Sequence, residues 1–278
     1  MKLCYNLQTC MTNPSLEKDL ELCEKAGFEA VEINFAKARE YLKGHSMEQL
    51  ESLIASHNLK VATLNAIFEI NFCNEKEWTR VTDEFRFACE LGQACNSNKV
   101  IVLSNERANL KEEITGKEIE TDTLEVLAKL ADMGQQTGMH IGFEPVGTMA
   151  VPNLEWALNI VQKLNLPEVG LVIDDFNLYL WDLLSDVDLI CTIPPEKISI
   201  VHLNDAEKIP FARLDQTHRC MPSDGRINIA RYMQNVKDTG YGGYVSIEVL
   251  NPGIWMRGPE VVIPEAYAKG MAVLQSIT

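Results

Sequence analysis

The segment His140-Ile-Gly-Phe-Glu144 is a short, largely apolar run that stops on a carboxylate. The same design returns in Gly170-Leu-Val-Ile-Asp174, Ile198-Ser-Ile-Val-His202 and Tyr244-Val-Ser-Ile-Glu248. Runs of this length and composition read as buried parallel strands. If the four are neighbours in one sheet, three carboxylates and one imidazole meet at a point. Converging anions repel, and burial penalises each charge further, so a bound cation is the simplest way to keep all three ionised.

Working outward, strand-like segments fall at 2–8, 29–34, 60–66, 99–104, 140–144, 169–174, 198–203 and 243–249, with amphipathic helices between them. Asn13-Pro14 reads as a cap with a first-turn proline, Leu16, Leu20 and Cys23 share a face, and Gly27 closes that helix. Ser46 and Gln49 form a capping box before Leu50, Leu53 and Ile54. Leu124, Leu127 and Leu130 mark another helix, Asn153 caps one carrying Leu154, Leu158 and Val161, and Pro259 opens the last. Strand–helix units of roughly 35 residues fill residues 1–278 as one (β/α)8 barrel domain. A doubly wound sheet would want a glycine-rich turn after the first strand, and Asn6-Leu-Gln-Thr9 is not one. In a barrel, alternation turns Glu144, Asp174, His202 and Glu248 inward together with Gly142, Val172, Ile200 and Ser246, at the end of the strands where barrel enzymes build their sites.

Each residue also has a plain structural reading. Asp174 suits a helix N-cap, His202 a hydrogen-bonded core histidine, and Glu144 a strand end before Pro145. Glu248 resists such a reading, because glutamate within Val-Ser-Ile-Glu-Val-Leu is costly to bury unpaired. Three oxygens and one nitrogen without thiolate suit one divalent metal ion, Mn²⁺ or Mg²⁺, with Co²⁺ and Zn²⁺ also compatible.

The formal charge of -15 opposes nucleic acid and acidic membranes as partners. Eight cysteines without a CxxC pair read as reduced thiols. The start, Met1-Lys-Leu-Cys-Tyr-Asn6, reads as a strand, not a leader, and the expectation is a soluble cytoplasmic protein; homo-oligomerisation is left open.

The chain resembles the xylose isomerase-like TIM barrel superfamily of sugar isomerases and epimerases, and within it the inosose isomerases of inositol catabolism. The likeness is carried by Met1-Lys-Leu-Cys-Tyr-Asn6, Asp19-Leu-Glu-Leu-Cys-Glu-Lys25, Leu64-Asn-Ala66 and the four strands quoted above. It implies a divalent metal held by Glu144, Asp174, His202 and Glu248, with the two glutamates doubling as the acid–base pair. Two departures concern substrate recognition: Asn177 stands where the family has a histidine, and Arg219 is followed by Pro222-Ser-Asp-Gly225 instead of a Pro-Gly-x-Gly turn. Asparagine donates and accepts hydrogen bonds but relays no proton at neutral pH.

Asn6, Asn34, Asn65 and Asn105 lie at or near the ends of the first four strands, where amides suit an uncharged polyhydroxylated ligand and also suit turns. Glu32 is placed in the same pocket, and Trp181 and Trp255 offer faces for a ring. Of the basic stretch Lys208, Arg213, Arg219, Arg226 and Arg231, only Arg219 is assigned to substrate; salt bridges are the expected use of the others. The expected activity is isomerisation of a small polyhydroxy ketone, an inosose, through a cis-enediolate. A dehydratase, an epimerase and a non-catalytic sugar-binding homologue are the alternatives. The endonuclease branch would need a basic groove and more histidines than the five present.

Overall fold

The structure, a computed structural model, describes residues 1–13 and 15–277. Among them, eight parallel strands close into a barrel: β1 (Lys2–Asn6), β2 (Ala30–Asn34), β3 (Lys60–Ile67), β4 (Lys99–Leu103), β5 (His140–Glu144), β6 (Val169–Asp174), β7 (Ile198–Leu203) and β8 (Tyr244–Ile247). Each strand pairs with its sequence neighbours, and β8 closes on β1 with Tyr244 opposite Lys2. Helices α1 (Leu16–Ala26), α2 (Phe35–Leu42), α3 (Met47–Ala55), α4 (Glu75–Cys95), α5 (Gly116–Gly134), α6 (Leu154–Leu164), α7 (Asp175–Asp182), α8 (Ile229–Asp238), α9 (Pro252–Trp255) and α10 (Pro259–Ser276) follow the strands. This is the (β/α)8 barrel expected from the strand spacing. No described helix is long and apolar enough to cross a membrane.

Local sequence explains most helix ends. The Ser46–Gln49 capping box starts α3, Asn153 caps α6, and Gly27, at φ +102°, ends α1 in the left-handed region that favours glycine. The start of α1 departs from expectation. Ser15 is its cap, accepting from Lys18 N, whereas Asn13 turns to Asp19 (2.7 Å); Pro14 lies outside the described residues. Asp19 also pairs with Lys37, both fully buried, which pins α1 to α2. Strand β1 is shorter than expected because residues Leu7–Cys10 form a 3₁₀ turn capped by Asn6.

Two apolar layers form the core. The larger lies between sheet and helices; the smaller fills the barrel with Ala66, Ile101, Leu103, Val172 and Ile200. The inward assignment of Val172 and Ile200 therefore holds. A Cβ on Gly142 would stand 3.0 Å from Val172 Cγ2 and 3.1 Å from Ser199 Cβ, a fit so close that those side chains would have to give way.

Candidate metal centre and pocket

Strand register gathers the polar residues. Asp174 lies beside His202 across β6 and β7, Glu144 beside Leu103 across β4 and β5, and Ser246 beside His202 across β7 and β8. Glu248 follows the last residue of β8, and Thr9 brackets it by donating to Ile247 O (2.9 Å) and accepting from Val249 N (3.0 Å). From α8, the buried Tyr232 hydroxyl reaches the carbonyls of Ile173 (2.8 Å) and His202 (2.9 Å), tying together the two strands that end in Asp174 and His202.

The four groups converge as the alternation requires. One ligand atom from each of Glu144, Asp174, His202 and Glu248 lies within 4.8 Å of the others, and all four residues are buried. His202 Nδ1 is 3.2 Å from Glu248 Oε2, 3.5 Å from Asp174 Oδ2 and 3.6 Å from Glu144 Oε1. On the other side of the ring, Nε2 is 3.2 Å from Glu32 Oε1. An ionised carboxylate only accepts, so Glu32 holds a ring proton on Nε2 and leaves Nδ1 as the nitrogen that can ligate a cation once its own proton is lost. That atom is buried without a hydrogen-bond partner and faces three carboxylates. Donors around a tetrahedral ion with bonds of about 2.1 Å stand roughly 3.4 Å apart, so the spacing and the donor set fit a divalent cation.

The electrostatics point the same way. Burial opposes protonation of His202, yet Glu248 and Glu32 raise its pKa well above the ordinary imidazole value. Burial also works against charge on Asp174, but Arg219 and His202 hold it well below the usual carboxylate range. Glu144 is pushed up to about 7, by burial first and by Glu248 and Asp174 as well, with His202 opposing. Of the four buried carboxylates, counting Glu32, Asp174 and Glu248 pair with the Arg219 guanidinium.

Asp174 does cap α7, its Oδ1 accepting from Asn177 N (2.7 Å), while Oδ2 faces His202 Nδ1. Glu248 is clamped by Asn6 (2.7 Å) and Asn65 (3.3 Å) on Oε1 and by Arg219 Nη1 (2.9 Å) on Oε2. Glu144 accepts only from Asn177 Nδ2 (3.0 Å) among the described residues.

Beside these groups is a cavity of about 200 Å³, lined by Glu144, Glu248, Asn65, Asn177 and Arg219, and by apolar Leu103 and Val146 among others. A larger, more apolar cavity of about 320 Å³ lies at the opposite end of the strands, between Met1, Leu3 and Leu274, away from these polar groups.

Several expectations need correction. Glu32 does not line the cavity; Thr63 and Asn6 donate to it and His202 sits against it, so it lies behind the centre. Burial raises its pKa, but His202, Ser246 and Thr63 together leave it below the ordinary value. Trp181 is one turn along α7 from Asn177 and 43% exposed, and Trp255 is half-buried with its indole N–H on Val249 O (3.2 Å); neither lines the cavity. Asn34 caps α2, Asn105 is locked to Asn71, and Asn6 is off the cavity wall, donating to Glu32 and Glu248, so of the four strand-end amides Asn65 alone lines the cavity among the described residues. Of the basic stretch expected to form salt bridges, Arg231 pairs with Asp188, whereas Lys208, Arg213 and Arg226 make no ion pair among the described residues. Gln216 and Glu106 line the cavity without having been singled out from the sequence. Glu32 had a signal, a glutamate within an apolar strand like Glu248; Gln216, in a loop, had none.

The family model described as xylose isomerase-like TIM barrel matches residues 20–277. The chain belongs to this family. It is 33% identical over 279 residues to an inosose isomerase of Bacillus velezensis, covering 99% of this chain and 97% of that one. It superposes with a TM-score of 0.93 and 30% identity on a crystal structure of the IolI protein with a bound zinc atom, covering 100% of this chain and 99% of that one. It is also 26% identical over 251 residues to a 3-dehydroshikimate dehydratase of Pseudomonas putida, covering 89% of this chain and 38% of that longer protein.

Proposed function

We propose that this member of the family is an isomerase of the inosose type, which moves a carbonyl to the neighbouring carbon of a neutral polyhydroxylated ring. The observation that carries this reading is the pair of glutamates beside one cavity in unlike environments. Glu248 accepts on both oxygens from Asn6, Asn65 and Arg219, whereas Glu144 has, among the described residues, the single donor Asn177 and a pKa pushed up to about 7. Environments that separate two carboxyl groups in this way suit one as base and the other as acid. The strong likeness to inosose isomerases supports the same reaction class.

Glu144, Asp174, His202 and Glu248 would hold the divalent cation, which when bound supplies Lewis acidity to a carbonyl and its neighbouring hydroxyl. Glu248 takes the proton from the carbon that bears the hydroxyl, and the electron pair forms the enediolate. Glu144 takes up the hydroxyl proton and delivers it to the former carbonyl carbon, while the proton on Glu248 passes to the former carbonyl oxygen, so both carboxylates end ionised. Atoms balance, and no redox partner is consumed. Incubating metal-loaded protein with inosose in D₂O should place deuterium at the carbon next to the carbonyl and yield a regioisomeric ketone by NMR. Retention of all protium with no new ketone overturns the reading.

A dehydratase acting on a carboxylate substrate fits this cavity less well. Arg219 is the only cation lining it among the described residues, and its Nε, Nη1 and Nη2 are all engaged by Gln216, Asp174, Glu248 and Asn177. Glu106, also on the wall, would repel an anion. The amides of Asn65, Asn177 and Gln216 suit hydroxyl groups instead.

A further inference from the structure

We propose that Gln216 is a positioning residue for Glu144, acting through Asn177; this rests on the reading of Glu144 as a proton carrier. Gln216 belongs to the loop between β7 and α8, in a 3₁₀ turn capped by Asp215. That loop is anchored by the antiparallel pairing of Asp205–Ala206 with Arg219–Cys220, and by Asp205 accepting from Gly225 N and Ile227 N (2.8 Å each).

The hydrogen bonds run in one direction, and elementary donor counting sets it. A guanidinium only donates, so the Gln216 side chain must turn its oxygen to Arg219, accepting from Nη2 at 2.7 Å and Nε at 3.2 Å. Its amide nitrogen then faces Asn177 and donates to Oδ1 at 2.7 Å. Arg219 Nη2 reaches the same oxygen at 3.4 Å. With its oxygen occupied by donors, Asn177 must present Nδ2 to Glu144, and it donates to Oε1 at 3.0 Å. A flipped Asn177 would set its oxygen against the Glu144 carboxylate and its NH₂ against two donors. Gln216 thus fixes which end of Asn177 meets Glu144. An imidazole at position 177 would need no such neighbour, because it can meet a carboxylate by its own choice of tautomer.

Two near-isosteric variants separate this role from simple support of Arg219. Gln216→Glu keeps an acceptor for Arg219 but loses the donor to Asn177, and Gln216→Met loses both. Each should lower kcat by about tenfold to a hundredfold, the range of a lost hydrogen bond to a charged group, with KM changed far less. In an Asn177→His background the loss from Gln216→Met should shrink to a few-fold, a coupling that mere loop support would not produce. Full activity in Gln216→Glu, or an equal loss in both backgrounds, overturns the proposal. A readout free of turnover is the NMR signal of the Asn177 side-chain amide. Its protons should exchange slowly in the wild type and quickly in Gln216→Met, and equal exchange also overturns the proposal. Absence of deuterium incorporation by the wild type would sink the functional reading alone, since the amide measurement still decides this one.

Discussion

Replacing Glu32 with glutamine removes one charge from behind the proposed metal centre and little else. Glu32 Oε1 faces Asn6 Nδ2 (3.1 Å) and His202 Nε2 (3.2 Å), and Oε2 accepts from the Thr63 hydroxyl. A glutamine oxygen at the first position still accepts from both donors, and its NH₂ finds the Thr63 oxygen at the second. Volume and hydrogen-bond count are kept, while the carboxylate that sets the His202 tautomer and raises its basicity is lost. Partners of this kind, one step behind a ligating histidine, typically contribute about 10–100-fold in metal affinity. That corresponds to roughly 1.4–2.7 kcal/mol of binding free energy. Competitive titration against a fluorescent chelator at fixed pH measures it, and the stabilisation by saturating metal should fall in parallel. The metal-free variant should be less stable than the metal-free wild type at neutral pH, because His202, Ser246 and Thr63 hold the Glu32 pKa below its ordinary value, so the ionised carboxylate favours the fold. An unchanged dissociation constant would refute the idea that Glu32 orients His202 toward a cation.

Two further outcomes follow from the same contacts. Metal affinity should rise with pH through about 7 and go on rising above it until His202 has also lost its proton. Protons on Glu144, whose pKa is pushed up to about 7, and on His202, whose pKa is also raised, must leave before a cation binds, so lowering the pH favours the proton; chelator titrations from pH 5.5 to 8.5 showing no slope contradict this. Lys37→Met should destabilise the fold by about 3–5 kcal/mol, since it strands the buried Asp19 carboxylate, whose pKa burial already raises. Urea unfolding should show the loss, and Asp19→Asn added to Lys37→Met should recover part of it.

The alternation of apolar runs with caps and helical faces was enough to find all eight strands, because a barrel strand buried on both sides must be apolar along its length. Period-two alternation was enough to turn Glu144, Asp174, His202 and Glu248 to one side. Helices such as α2 and α9 were not legible, for they span only eight and four residues and carry too little periodicity. Asp174 shows where sequence logic had to leave two readings open, since only the fold reveals one oxygen capping α7 and the other facing His202 Nδ1. The roles of Glu32 and the two tryptophans turned on the depth and direction of particular side chains, which residue type does not encode.

What the residues settle unaided is the barrel, the meeting of three carboxylates and an imidazole at its mouth, and a charge hostile to nucleic acid. These depend on local period and composition, which survive without knowledge of any distant neighbour. What the tertiary structure alone decides is the division of labour: Glu248 clamped by donors from two other strands and a loop, Glu144 held by one amide, and Glu32 retired behind His202. Those differences arise from contacts between residues up to 242 positions apart. Such contacts exist only once the barrel has closed.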